Sequence, residues 1–178
     1  MSLEERSPIG RFAREVSQRP RGALLSLLLA LPACADPRAA QNLAQSKAFL
    51  ADNAKQPGVV VLPSGLQYKV LQSGPAGGAS PLADDHVIVN YEGKLLDGQV
   101  FDSSYQRGHP DVFVAGQLIK AWTEALEKMR PGDVWMLYAP PGLAYGAKGV
   151  GPIPPNSALI FKIELISVLP RDASVGNG

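Results

Sequence analysis

HVIVNYEGKLLDGQVFD, residues 86–102, carries the decisive pattern. Val87, Val89, Tyr91 and Gly93 alternate with Ile88, Asn90, Glu92 and Lys94, the period of two expected of a strand with one buried face. Asp97-Gly98 comes next, the dipeptide that most favours a tight hairpin, so residues 99–102 read as the returning strand. A half-apolar hairpin needs a partner for its inner face. Residues 118–129, LIKAWTEALEKM, supply one: Trp122, Leu126 and Met129 recur at helical spacing and Ala125 completes the apolar stripe. Lys120, Glu124, Glu127 and Lys128 lie opposite, and Arg130-Pro131-Gly132 stops the helix.

More strands flank this unit. Residues 64–71 (SGLQYKVL) read as a strand, and residues 73–85, rich in Gly, Pro and Ser, as a loop. Residues 133–139 form another strand, whose two faces the pattern does not assign. In residues 159–167, Leu159, Phe161, Ile163 and Leu165 point inward while Lys162 and Glu164 point out. The predicted class is α+β, a twisted antiparallel β-sheet half-wrapped around one amphipathic helix. The open end of such a sheet is where aromatic side chains gather.

The chain has 178 residues, 46% of them apolar and 19% charged, values of an ordinary globular protein. Five arginines and three glutamates precede residue 22, so the +1 of the whole chain conceals a remainder with 12 basic and 13 acidic residues. A body so close to neutral lacks the electrostatic footprint of a nucleic-acid binder. The single cysteine, Cys34, rules out an intramolecular disulfide. His86 and His109 have no ligand-like spacing, and no metal site is expected.

Residues 23–31, ALLSLLLAL, follow Arg19 and Arg21 and precede small residues, the tripartite layout of a secretory signal. The run is too short to cross ~30 Å of hydrocarbon as a helix. Residues 1–35 are therefore expected to be a targeting segment. Ala33-Cys34-Ala35 fits cleavage of a soluble exported protein, and Leu31-Pro32-Ala33-Cys34 resembles the bacterial lipobox, in which the cysteine is acylated. The expected location is periplasmic, or membrane-anchored by a lipid at Cys34. Over residues 36–57, Asp36 suits an N-cap and Pro37 the first helical position. Leu43, Phe49 and Leu50 are too sparse for a wide buried stripe, so this helix is expected outside the core, as a solvated linker or a dimerisation arm. Residues 171–178 read as a disordered tail.

Five ordered blocks make the body recognisable: VNYEG (89–93), LLDGQVFDSS (95–104), QLIKAWTEALEKMRPGD (117–133), LAYGAKG (143–149) and PIPPNSALIFKIELI (152–166). In order and spacing they resemble the FKBP-type peptidyl-prolyl cis-trans isomerases. Residues 47–71 resemble the segment that leads into the domain in the bacterial Mip-like branch. The resemblance implies that residues 58–170 form an isomerase domain acting on proline-containing polypeptides without a cofactor. It further implies that Tyr91, Phe101, Trp122 and Phe161 wall and floor a proline pocket, with Leu118 and Ile119 at its helical entrance. The Ile119 N–H would donate to the substrate backbone and the Tyr145 phenol to a substrate carbonyl. Asp102 would stand beside the pocket, held by Arg107, and Ile153 would be the apolar residue of a flap loop. Two positions depart from the family: Asp111 stands where an aromatic wall is frequent, and the flap is shorter, with Val150 where eukaryotic members carry His. These departures bear on a macrolide ligand of the FKBP class and on the residue preferred before proline. The alternative to an enzyme is a chaperone or partner-docking module of the same fold, and the N-terminal helix suggests a weak homodimer.

Overall fold

The burial along β3 (His86–Lys94) repeats the alternation of its sequence: Val87, Val89, Tyr91 and Gly93 are buried and Ile88, Asn90, Glu92 and Lys94 half-buried. The structure, a computed structural model, describes residues 37–171. Residues 1–35, expected to be a targeting segment, with Cys34 among them, and residues 172–178 of the expected tail lie outside the described residues. Arg171 itself donates its N–H to Asp85 at 3.3 Å.

β3 turns through residues 95–98 into β4 (Val100–Ser103). The Gly98 N–H donates to the Leu95 carbonyl at 3.0 Å and the Leu95 N–H to the Gln99 carbonyl at 2.9 Å. Gly98 has φ of 89°, the left-handed residue that a three-residue hairpin loop requires. Seven antiparallel strands form one sheet in the order β1 (Val59–Val61), β2 (Gln67–Gln72), β6 (Val134–Ala139), β7 (Leu159–Leu169), β3, β4. β5 (Asp111–Val114) shares with β4 the edge of β3 away from β7: β4 pairs through residues 92–94 and β5 through residues 86–89.

The helix α3 (Lys120–Leu126) lies in the concavity of the sheet. Ala121, Trp122, Ala125 and Leu126 are buried, and a tight turn carries Met129 into the same core through N–H bonds to Ala125 and Leu126. The inner faces of β3, β6 and β7 meet this stripe with Val87, Val89, Leu137, Ile163 and Leu165. Each such side chain contributes roughly 1.5–3 kcal/mol by leaving water. The pattern that left β6 unassigned is resolved by its neighbours, which bury Trp135, Leu137 and Ala139. The helix begins two residues later than its apolar spacing predicts, because Leu118 (ψ 176°) and Ile119 (ψ 148°) are extended.

Three short elements with sheet or α-helical geometry escape the sequence pattern, β1, α2 (Ser104–Arg107) and β5. The N-terminal helix α1 (Pro37–Asn53) differs from expectation in a more instructive way. It is docked on the domain, by polar groups rather than an apolar stripe. Ser46 and Asn53 are its buried residues; Asn53 Nδ2 donates to Gln67 Oε1 and Gln67 Nε2 to the Leu50 carbonyl, both at 2.8 Å. Phe49 meets Tyr138 of β6 at 6.0 Å between ring centroids. Hydropathy reading sees no such attachment, because side-chain-to-backbone hydrogen bonds leave no periodic signal.

Candidate active site

At the end of the sheet where α3 begins, the rings converge. Trp122 stands edge-on to Tyr91, Phe113 and Phe161, with centroids 5.0, 6.1 and 5.5 Å apart and interplanar angles of 83–90°. Phe101 meets Phe161 in the same manner at 5.8 Å. Edge-to-face contacts suit the ring quadrupoles and hold each ring at a fixed angle. Together they enclose a cavity of about 170 Å³ lined by Tyr91, Phe101, Asp102, Phe113, Leu118, Ile119, Trp122, Tyr145 and Phe161. The cavity is open to solvent on one side. Its floor, Trp122, is only 4% exposed.

The placement of these rings follows from strand parity. Tyr91 and Gly93 are inward residues of β3, opposite Ile163 and Phe161 of β7 in the ladder. Gly93 makes the space: a Cβ there would lie 2.6 Å from Phe101 Cζ and 2.9 Å from Phe161 Cε1. Gly93→Ala is therefore expected to push both rings from the cavity and to lower stability by about 1–3 kcal/mol, the usual cost of overpacking. Thermal denaturation and intrinsic tryptophan fluorescence check this.

Behind the wall lies a charged buttress. After Asp102, the Ser103 hydroxyl caps α2 by accepting the Gln106 N–H at 3.3 Å, and buried Ser104 accepts the Tyr91 N–H at 2.8 Å. Gly108, at φ 80°, closes that single turn. The turn delivers Arg107 between Asp102 and Asp111, hydrogen-bonded to both, with Nη2 also 3.0 Å from the Tyr91 hydroxyl. The Tyr91 hydroxyl in turn donates to Asp102 at 2.5 Å. Burial, followed by the Asp102 hydrogen bond, pushes the Tyr91 phenol up to about 12. Burial alone would raise the Asp102 carboxyl, but the Tyr91 and Arg107 hydrogen bonds and the Arg107 charge hold it below the ordinary carboxylate range. Near neutral pH Tyr91 is thus a donor and Asp102 an acceptor.

Two hydrogen-bond donors remain at the rim. Tyr145 is 37% exposed, its phenol raised by burial and by the Asp102 charge. The Ile119 N–H, freed by the extended start of α3, has no acceptor among the described residues. Eight of the ten residues singled out for the pocket line it. Arg107 stands behind the wall as a support. Ile153 does not line the cavity: it is 5% exposed in the core, pinned by reciprocal backbone bonds with Val150 at the flap's tight turn. Phe113 was not anticipated. It shares a face of β5 with Asp111 because the two are separated by one residue, so an aromatic wall does occur on this strand, displaced by two positions. Among the described residues no group of three or more His, Cys, Asp or Glu gathers to hold a metal.

The hollow is apolar in its depth, with hydrogen-bond donors at its mouth. Residues 77–166 match the family described as FKBP-type peptidyl-prolyl cis-trans isomerase, and the chain belongs to that family. Residues 29–70 match the domain amino terminal to FKBP-type peptidyl-prolyl isomerase. The chain is 56% identical over 128 residues to the peptidyl-prolyl cis-trans isomerase Mip of Coxiella burnetii, covering 71% of this chain and 55% of the relative. It is 52% identical over 132 residues to the outer membrane protein MIP of Legionella longbeachae, covering 74% and 56%. Among solved structures, FkpA from Escherichia coli superposes with a TM-score of 0.72 at 44% identity, covering 75% of this chain and 62% of that one. The chain spans just over half the length of the two curated relatives.

Proposed function

We propose that this chain accelerates cis–trans rotation of X-Pro peptide bonds in exported polypeptides. The observation that carries the reading is the cavity itself, apolar and ring-walled in its depth, with Tyr145 and the Ile119 N–H at its rim. Rotation about the bond costs ~18–20 kcal/mol because twisting destroys amide resonance. At the top of the barrier the nitrogen is pyramidal and the carbonyl has lost much of its dipole. The twisted imide therefore loses less solvation than the planar form on entering an apolar site, which is differential binding of the transition state. No bond is made or broken, so nothing here calls for a nucleophile. Trp122 supports the pyrrolidine ring, Tyr91, Phe101, Phe113 and Phe161 confine it, and Leu118 borders the mouth. The Tyr145 hydroxyl and the Ile119 N–H hold the backbone on either side of the rotating bond.

A protease-coupled assay on X-Pro tetrapeptides tests the proposal, and a purified chain that leaves the uncatalysed rate unchanged overturns it. Tyr145→Phe removes one rim donor worth about 1–1.5 kcal/mol, and kcat/KM is expected to fall roughly five- to tenfold. The melting temperature stays in place, since the hydroxyl is partly exposed. A macrolide of the FKBP class would compete for the same rings.

Export belongs to the same proposal. It rests on the basic-then-apolar layout of residues 19–31 and on likeness to a relative named as an outer membrane protein. Acylated Cys34 would tether the chain to a membrane. Mass spectrometry of the mature N-terminus separates acylated Cys34 from a free Asp36 or an intact Met1. A weak homodimer through α1 belongs to the same reading, and sedimentation of the full chain measures it.

A further inference from the structure

Four hydrogen bonds fasten the first half of α1 to the segment that closes the flap loop. Asn42 Nδ2 donates to the Pro155 carbonyl at 2.9 Å. Ser46 Oγ donates to the Asn156 carbonyl at 2.8 Å and accepts the Ala158 N–H at 2.7 Å. Asn156 Nδ2 answers by donating to the Ala39 carbonyl at 3.0 Å. Ser46 is 1% exposed, so a hydroxyl in the middle of a largely exposed helix is buried with its donor and an acceptor lone pair both used. An apolar contact would tolerate sliding. This set of bonds fixes one register of the helix against one loop.

The loop it grips leads to the cavity. Asn156 is the one non-glycine among the described residues with a left-handed backbone, φ 58°, and its N–H donates to the Gly146 carbonyl at 2.9 Å. Gly146 follows Tyr145 directly. The connection from helix to pocket wall is thus Ser46, Asn156, Gly146, Tyr145. The loop between is folded hard on itself: a Cβ on Gly149 would lie 2.3 Å from the Ile153 carbonyl oxygen. A segment so tight moves as one piece, and its base sets its position.

We propose that Ser46 is a positioning residue for the isomerase reaction, fixing through Asn156 the base of the 146–156 loop and, with it, the Tyr145 phenol. The proposal rests on the isomerase reading of the pocket. It makes α1 a part of the working site rather than a spacer, and it assigns a function to a serine that no hydropathy pattern would single out.

A double-mutant cycle in the full chain tests it, because residues that act through one another are non-additive. Ser46→Ala is expected to lower kcat/KM roughly three- to tenfold in the wild-type background and less than about twofold in a Tyr145→Phe background. Hydrogen exchange should quicken at the Gly146, Gly149, Val150, Ile153 and Asn156 amides and stay unchanged in β3 and β7. Equal losses in the two backgrounds, or unaltered exchange in the loop, overturn the proposal while leaving the isomerase reading intact. A wild-type chain inactive in the coupled assay overturns that reading and this proposal together. Should Ser46→Ala fail to fold, Asn42→Ala removes one half-buried bond and is expected to give the same exchange pattern at smaller amplitude; unchanged loop exchange in that variant overturns the proposal equally.

Discussion

Trp122→Ala is expected to give the largest loss of activity of any single change in the cavity. The indole contacts three other rings and forms the floor, so its removal deletes the platform and frees Tyr91, Phe113 and Phe161 from their edge-on packing. Truncating a buried Trp costs about 3–5 kcal/mol of stability, which lowers the melting temperature but leaves an ordinary domain folded at 25 °C. The loss of kcat/KM should be roughly thirtyfold or more, equivalent to about 2 kcal/mol of differential binding. Trp122→Phe separates the ring from its nitrogen. The Trp122 N–H is buried without a partner, so the smaller ring forfeits area and no hydrogen bond, and most of the activity should survive. Steady-state kinetics on both variants at 10–25 °C, with melting curves alongside, would check this. Equal loss in the two would mean that the floor acts through more than its shape.

The second large effect is at Asp102, where two roles predict different outcomes. As a support, the carboxylate is valuable for the bonds it accepts from Tyr91 and Arg107; as a participant, for its charge near the rotating carbonyl. Asp102→Ala removes both and leaves the Tyr91 hydroxyl without its acceptor, a loss of about 1.5–3 kcal/mol for bonds to a charged group. A roughly tenfold or greater fall in kcat/KM is expected. Asp102→Asn keeps an acceptor oxygen in place, and the supporting role predicts that it retains most of the activity that Ala loses. The pH dependence agrees in sign. Because the folded carboxyl lies below its ordinary value, its stabilisation is present above the carboxylate range and is lost as pH falls through about 4 and below. Tyr91 is shifted the other way, so its contribution is complete below about pH 10 and is lost as pH rises towards 12. Activity should accordingly be flat between pH 5.5 and 8.5, roughly, with the acid limb of the stability curve shallower in Asp102→Asn than in the wild type.

What could be read in advance and what could not divides along physical lines. β3, β7 and α3 were legible because each buries one face, and burial imposes a period of two or of 3.6 on the residues themselves. Tyr91, Phe161 and Trp122 were legible as inward residues of those elements, but that they wall a pocket came from the family resemblance, because periodicity reads an inward ring as core. α2 and β5 were not, because four residues hold too few positions for a period, and their ends are set by the Ser103 cap and Gly108 instead. Phe113 was overlooked for that reason, although its parity with Asp111 would have revealed it once the strand was known. Ile153 was expected on the pocket and lies in the core, since a glycine-rich flap offers no parity from which side-chain direction can be inferred. Docking of α1 is the clearest case of the illegible: besides the Asn53–Gln67 contact, it depends on Asn42, Ser46 and Asn156 finding particular carbonyls and an N–H more than a hundred residues away.

The platform for the substrate ring stands on α3, whose remaining inward residues, Ala121, Ala125 and Leu126, are the centre of the hydrophobic core. Anyone wishing to retune this chain for a different peptide context therefore has little freedom beneath the ring, where a change of shape is paid in folding. Diversity in a selection library belongs in residues 105–114 and 146–156, which adjoin the lining residues Phe113 and Tyr145 in the chain and lie outside the helix that the sheet encloses.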